Sequence, residues 1–277
     1  MKKIIVVMTC FNRRDKTLQC LHRLFEAASK VLELELDVIV VDDGSTDGTS
    51  EAIQAAYSQR VQVVRGNGSL FWGGGMRLAM ETALTVQFDY LLWLNDDTML
   101  DGSAIKRVAE ASSTYPDAIL VGATHDSVNQ QLCTYGGVVR KSRYGRTNWS
   151  RHVISDAYLP AETMNGNFVL IPSAVVYQLG PISKAFTHSL GDFDYGLRAK
   201  RIGVKILQMP GSIGCCDRNP IAGSYQDKSL SKWVRWQKLR SLKGFPPREW
   251  AIFTYRHAGP LWFLYWAWPY IKFLTKG

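Results

Sequence analysis

The chain has 277 residues, 46% of them hydrophobic, which suffices for one sizeable core plus an appendage. No apolar run reaches the ~20 residues that a membrane span needs, and the five cysteines form neither a C-x-x-C pair nor a secretory disulfide pattern. The net charge of +9 resides in residues 228–277, where ten Lys and Arg stand against the single acid Glu249.

Met1-Lys2-Lys3 runs straight into an apolar stretch with no cleavage-like segment, so a chain without signal peptide, in a reducing cytoplasm, is expected. Residues 3–8 (Lys-Ile-Ile-Val-Val-Met) predict a buried strand and residues 36–41 (Leu-Asp-Val-Ile-Val-Val) a second. Between them, Leu18, Leu21, Leu24, Phe25, Ala28, Val31 and Leu32 recur at helical spacing over residues 15–32. Strand, helix and strand in that order predict parallel pairing. A third strand is expected at 61–65, a helix at 76–86 and a fourth strand at 90–94 (Tyr-Leu-Leu-Trp-Leu); farther on, 195–202 predicts a helix and 204–209 a strand.

Three of these strands end in polar residues: Thr9-Cys10-Phe11-Asn12-Arg13, Asp42-Asp43-Gly44-Ser45-Thr46-Asp47-Gly48 and Asn95-Asp96-Asp97. In open α/β sheets ligands sit beyond the carboxyl ends of the strands, so the three segments are expected to share one crevice. Adjacent carboxylates there offer hard oxygen ligands to a divalent cation beside a diphosphate; a turn or cap is the local alternative. Phe11 can stack on a base or pack in the core. Asp42 and Asp43 can accept a hydrogen bond from base or ribose, cap a helix over residues 45–57, or do both.

In the loop 67–76, Gly73, Gly74 and Gly75 follow Phe71-Trp72, and backbone amides there are expected to face phosphate or sugar. A bare linker is the alternative, disfavoured because it would expose Phe71 and Trp72. No Walker lysine follows, which leaves a kinase or ATPase P-loop unsupported. A second acidic centre lies in Gly191-Asp192-Phe193-Asp194-Tyr195-Gly196-Leu197-Arg198. A carboxylate here suits the proton abstraction that transfer to a hydroxyl requires; a pair capping the helix that follows is the alternative.

Segments 7–13, 38–47, 95–97 and 191–198, in this order, resemble a family 2 glycosyltransferase, inverting and of the GT-A fold, over residues 4–205. The resemblance implies an α/β architecture: a Rossmann-like, mostly parallel central sheet flanked by helices, with a C-terminal helical, aromatic and basic appendage. The expected units are a GT-A domain of residues 1–225, with a nucleotide-binding half (1–100) and an acceptor-binding half (101–225), and a segment 226–277. Thr9, Phe11 and Arg13 would line the base pocket, with Asp42 or Asp43 on base or ribose. Trp72, Gly73 and Gly74 are expected among the nucleotide-sugar contacts, Asp96 toward ribose or sugar, and Asp97 as ligand of Mg²⁺ or Mn²⁺.

Asp192 matches the family's general base, and Asp194 the neighbour that serves as alternative base or helix cap. The family carries an acid where Gly191 stands, so the choice between the two stays open. His188 and Arg198 are candidate acceptor contacts. Relatives often place a His after the next strand as a further metal or phosphate ligand; here Asp217 or Arg218 stands in that stretch.

Residues 228–277 also hold six of the nine tryptophans: Trp233, Trp236, Trp250, Trp262, Trp266 and Trp268. Basic residues interleaved with amphipathic aromatics suit an anionic membrane surface, and the apolar run 261–271, bracketed by Pro260 and Pro269, is too short to span. Contact with the inner face of the cell membrane is expected, with a helical pair on its own domain or in a homodimer as the alternative. No nucleic-acid module is recognisable.

The resulting reading is an inverting, metal-dependent transferase. It would move a hexose or deoxyhexose, rhamnose first, from a dTDP- or UDP-sugar to a surface polysaccharide or polyprenyl-linked acceptor. The alternatives are a nucleotidyltransferase on sugar phosphates, which lacks its Gly-rich basic loop after the first strand, and a non-catalytic carbohydrate- or membrane-binding scaffold.

Overall fold

The computed structural model describes residues 2–142 and 146–276. Strand and helix alternate at first: β1 (Lys2–Cys10), α1 (Arg14–Ala28), β2 (Leu34–Asp42), α2 (Thr49–Tyr57), β3 (Val61–Arg65), α3 (Phe71–Ala83) and β4 (Tyr90–Leu94). A short β5 (Met99–Leu100) leads to α4 (Ala104–Thr114), β6 (Ile119–His125), β7 (Cys133–Tyr135), β8 (Gly137–Arg140), β9 (Trp149–Arg151), β10 (Leu159–Pro160) and β11 (Thr163–Met164). Then come β12 (Phe168–Pro172), α5 (Ser173–Leu179), α6 (Gly191–Arg201) and β13 (Ile206–Cys215), followed by α7 (Lys232–Leu239), α8 (Pro247–His257) and α9 (Trp262–Lys276).

The main sheet is ordered β10-β13-β6-β12-β4-β1-β2-β3, with β5 on β13 and β7 on β6, and β11-β8-β9 form a small second sheet. β1 pairs in parallel with β2 and β4, and β2 with β3, as the strand-helix-strand order predicts. β6 and β13 are parallel as well. β12 runs antiparallel between β4 and β6, so its N-terminal end lies at the sheet edge where β4 finishes.

Both faces of the sheet are covered, which is why its strands read as unbroken apolar runs. Ile4, Val6 and Met8 of β1 enter one core with Leu21 and Leu24 of α1, while Ile5 and Val7 enter the other with Met76 and Met80 of α3. A third cluster joins Phe186 and Leu197 to Trp250 and Phe253 of α8.

Several boundaries differ from the sequence pattern. α3 begins at Phe71 rather than 76, so the three glycines form its first turn instead of a loop. α6 begins at Gly191, directly after Leu190 in a left-handed conformation. α1 stops at Ala28, and Leu32 lies beyond it, fully exposed. α2 starts at Thr49, whose N–H and Oγ1 both donate to Asp47 Oδ1. β13 extends to Cys215 through register shifts between Gln208 and Gly214, and α9 continues through Pro269. Among the described residues no helix is long and apolar enough to cross a membrane. All five cysteines are free.

Candidate active site

The carboxyl ends of β1, β2 and β4 and the start of β12 open on one cavity of about 690 Å³. Of the residues singled out in the sequence, Thr9, Phe11, Arg13, Asp43, Trp72, Asp96, Asp97, His188 and Asp192 line it. Asp42, Gly73, Gly74, Asp194 and Arg198 do not.

At one end, Arg13 Nη1 lies 2.8 Å from Asp97 Oδ2 and 3.2 Å from Asp96 Oδ1. The resemblance places Arg13 in the base pocket; its guanidinium lines the cavity with Thr9 and Phe11 and pairs there with the adjacent carboxylates. Burial, and then the charge of Asp97, push the Asp96 carboxyl up to about 6 against the pull of Arg13. Asp96 Oδ2 is buried and has no hydrogen-bond partner among the described residues. Behind this pair, the Cys216 thiol donates to Asp97 Oδ1 at 3.5 Å and accepts from Asn167 Nδ2 at 3.3 Å.

Asp192 faces the same space. Its two oxygens accept from the backbone N–H groups of Phe193 (2.8 Å) and Gly166 (3.1 Å). Burial pushes the carboxyl up to about 6, with those bonds opposing the rise. Trp72 walls the region: Nε1 donates to Asn95 Oδ1 at 2.8 Å, and its ring meets Trp93 edge-on at 6.1 Å. A Cβ added at Gly166 would collide with the Trp72 indole, so glycine lets Trp72 and Asp192 close on the start of β12.

The glycines of α3 have a different task from the one expected. Gly73 and Gly74 N–H groups both donate to Thr187 O (2.8 and 3.2 Å), so they are not free for phosphate. A Cβ on Gly73 would sit 2.7 Å from Phe186 O and 2.9 Å from Thr187 O. The missing side chain of Gly73 brings the first turn of α3 against the segment that carries His188. Gly73→Val is therefore expected to cost about 1–3 kcal/mol of folding free energy through overpacking, read by chemical denaturation.

Asp42 and Asp43 divide the roles predicted for both. Asp42 accepts from Ser45 N (2.9 Å) and Ser50 Oγ (2.5 Å), which ties down the turn into α2 away from the cavity. Asp43 takes N–H bonds from Gly68 and Phe71, both 2.9 Å, yet keeps an edge on the cavity.

Asp194 is turned the other way, which removes it as a candidate base. It is fully buried: Oδ2 accepts from Arg198 Nε (2.9 Å), and Oδ1 lies 3.0 Å from Arg256 Nη1 and 2.9 Å from His257 Nε2. Burial resists its ionisation, but the His257 bond and the charges of Arg198 and Arg256 outweigh it and hold the carboxyl below its usual range. Arg198 also donates through Nη1 to Leu179 O and through Nη2 to Pro181 O, which points its guanidinium away from the cavity, and it does not line it. Asp217 and Arg218 are likewise turned away, to Ser127 and Cys133 O.

Some cavity residues have no counterpart in the sequence reading: Asn165, Gly166 and Asn167 before β12, Tyr135, Asn219, and Lys243 between α7 and α8. Lys243 and, more strongly, burial lower the pKa of His188, whose Nδ1 is buried without a partner among the described residues. Among the described residues, the non-glycine positive-φ residues are Asn12, Phe71 and Leu190 (50°, 52° and 70°). Phe71 and Leu190 line the cavity and Asn12 sits between Phe11 and Arg13, so backbone strain of about 1–2 kcal/mol per residue is concentrated here.

Residues 5–156 match the family model described as glycosyl transferase family 2; no curated protein matches significantly. A mannosyltransferase from Pyrobaculum calidifontis, solved with GDP-Man and Mn2+, is 16% identical with a TM-score of 0.50, over 90% of this chain and 63% of its own. The S. aureus TarS 1-349 structure with UDP-GlcNAc is 15% identical with a TM-score of 0.57, over 93% of this chain and 67% of its own. The chain thus spans less than two thirds of that mannosyltransferase. At these identities the likeness establishes the fold, which is GT-A. With a family model covering more than half of the sequence, the chain belongs to glycosyl transferase family 2.

Proposed function

We propose that the cavity holds a nucleoside diphosphate sugar and that Asp192 is the general base of an inverting transfer. The observation that carries this reading is that Asp97 and Asp192, remote in sequence, line one cavity, with Asp192 poised at about 6. The acceptor oxygen forms a bond to the anomeric carbon while the bond from that carbon to the diphosphate oxygen breaks. The hydroxyl proton goes to an Asp192 oxygen, and the nucleoside diphosphate leaves with the electron pair.

Thr9, Phe11 and Asp43 bind base and ribose, Asp96 and Trp72 border the sugar, and the acceptor enters past His188. The GDP-Man and UDP-GlcNAc of the structural neighbours favour a nucleotide sugar as donor class. Within it, a dTDP- or UDP-linked hexose or deoxyhexose, rhamnose first, and a polysaccharide or polyprenyl-linked acceptor at the inner membrane face are our assignments.

A divalent cation fits beside Asp96 and Asp97. Hard carboxylate oxygens are the donors Mg²⁺ and Mn²⁺ prefer, and the unpartnered Asp96 Oδ2 is an oxygen in want of a partner. Among the described residues no three acidic, His or Cys ligands gather, so diphosphate oxygens and water would complete the shell. Bound there, the cation supplies charge neutralisation for the departing diphosphate.

The test is thermal shift with dTDP, UDP and GDP, each with Mg²⁺ or Mn²⁺. One nucleotide is expected to raise Tm in a metal-dependent way. Asp97→Ala is expected to erase the metal dependence and lower transfer at least ~100-fold. No shift with any nucleoside diphosphate would overturn the reading.

A further inference from the structure

We infer that α7 and α9 form a docking face for an anionic lipid bilayer, with the cleft between them seating a lipid phosphate. α9 buries one side and leaves the other bare. Trp266 Nε1 donates to Pro247 O (3.0 Å) and Tyr270 OH to Phe245 O (2.8 Å), fixing the inner side. Leu264, Trp268 and Ile271, which share a face at helical spacing, are 55%, 60% and 50% exposed, and Leu261 and Leu274 lengthen the stripe. A continuous apolar stripe in water marks an interaction surface. With 15 residues, ~22 Å at 1.5 Å per residue, α9 is suited to lie in the interfacial plane.

Charge selects the partner. α7 packs beside α9 through Trp236, whose ring lies 6.1 Å from Tyr270 and 5.7 Å from Phe273. It brings Lys232, Arg235 and Lys238, while Glu249, the one acid of residues 228–277, is buried in the first turn of α8. A cleft of about 310 Å³ between these helices is lined by Arg235 and Lys272 together with Phe245, Trp250, Trp268 and Phe273. Two cations on aromatic walls suit a phosphate that carries an apolar chain.

The cleft also neighbours the reaction cavity. Phe245 lines the former and Lys243 the latter, two residues apart in the α7–α8 connection. An acceptor anchored in the same membrane would meet the active site across that single loop. This last link rests on the proposed function; the docking face itself does not.

Flotation of the full chain with vesicles tests the face. Binding is expected to phosphatidylcholine vesicles containing about a third phosphatidylglycerol, not to phosphatidylcholine alone, and to weaken as salt shortens the Debye length. The double variant Arg235→Glu, Lys272→Glu is expected to weaken it at least about tenfold, at roughly 1 kcal/mol per basic residue. Leu264→Glu with Trp268→Glu is expected to abolish it. Both variants should keep the nucleotide-induced thermal shift of the wild type, which reports an intact donor site; its absence in the wild type would count against the donor reading alone. Equal binding to neutral vesicles, no vesicle binding, or a concentration-dependent dimer that the same variants disperse would overturn the proposal.

Discussion

Replacing Asp192 with alanine is expected to lower glycosyl transfer by about 10²–10⁴-fold, the usual worth of a positioned general base, while the nucleotide-induced thermal shift persists. The carboxylate accepts from Phe193 and Gly166 N–H groups and lines the cavity, so its removal takes away the proposed proton acceptor and leaves Thr9, Phe11 and Asp43 in place. In the native enzyme the rate should fall with unit slope as pH drops through about 6, because the protonated carboxyl cannot act as base. Asp97→Ala should leave the Asp192 share of that limb in place; Asp192→Ala should remove it, leaving only what Asp96, also pushed up to about 6, contributes.

The stability linkage of Asp192 has a definite sign. Its folded pKa is raised from 3.8 to about 6. Its stabilising contribution is therefore complete below about pH 3.8 and is lost as pH rises through about 6. At pH 8 the folded state bears an ionised carboxylate it disfavours, and Asp192→Ala should accordingly change stability by no more than about 1 kcal/mol, a loss of two hydrogen bonds offset by relief of that charge. An alanine variant that unfolds at pH 8 would show Asp192 to be a structural anchor.

The first half of the fold is legible in the sequence because each local signal agrees with the next. β1, β2 and β4 are parallel strands buried over most of their length, and such strands read as apolar runs that end in the polar residues of a site. The rule misses β12. An antiparallel strand presents its beginning, not its end, at that edge, so Asn165-Gly166-Asn167 before Phe168 reach the cavity while the rule points beyond Pro172. Lys243 is hidden for another reason: it arrives from a helix pair whose composition speaks of membranes. The glycines after Trp72 signal a close approach, but whether to a ligand or to Thr187 O depends on a segment more than a hundred residues away. Asp192 and Asp194 are equivalent in one dimension, and only the turn of α6 separates the acid that meets the cavity from the one that meets Arg256.

Asp194→Ala is expected to cost about 3 kcal/mol or more, a larger loss of stability than either Asp192→Ala or Gly73→Val should cause. It removes a buried anion and leaves Arg198 and Arg256 uncompensated; partial exposure of Arg256 places the loss at the lower end of the range. The sign with pH is opposite to that of Asp192. Because the folded pKa of Asp194 is lowered from 3.8, its contribution is present above about pH 3.8 and is lost as pH falls through the lowered value. The variant's deficit should therefore be full at pH 7 and shrink toward pH 3 in urea titrations. The network spans two elements, since Arg198 lies on α6 and Arg256 and His257 lie at the end of α8. Hydrogen exchange in the variant should accordingly rise in α8 and in the first turn of α6, where Asp192 sits, before it rises in β1 or β4. Transfer should then weaken although no cavity residue has changed. If exchange rose uniformly across the sheet instead, Asp194 would be stabilising the fold as a whole rather than fastening the C-terminal helices to α6.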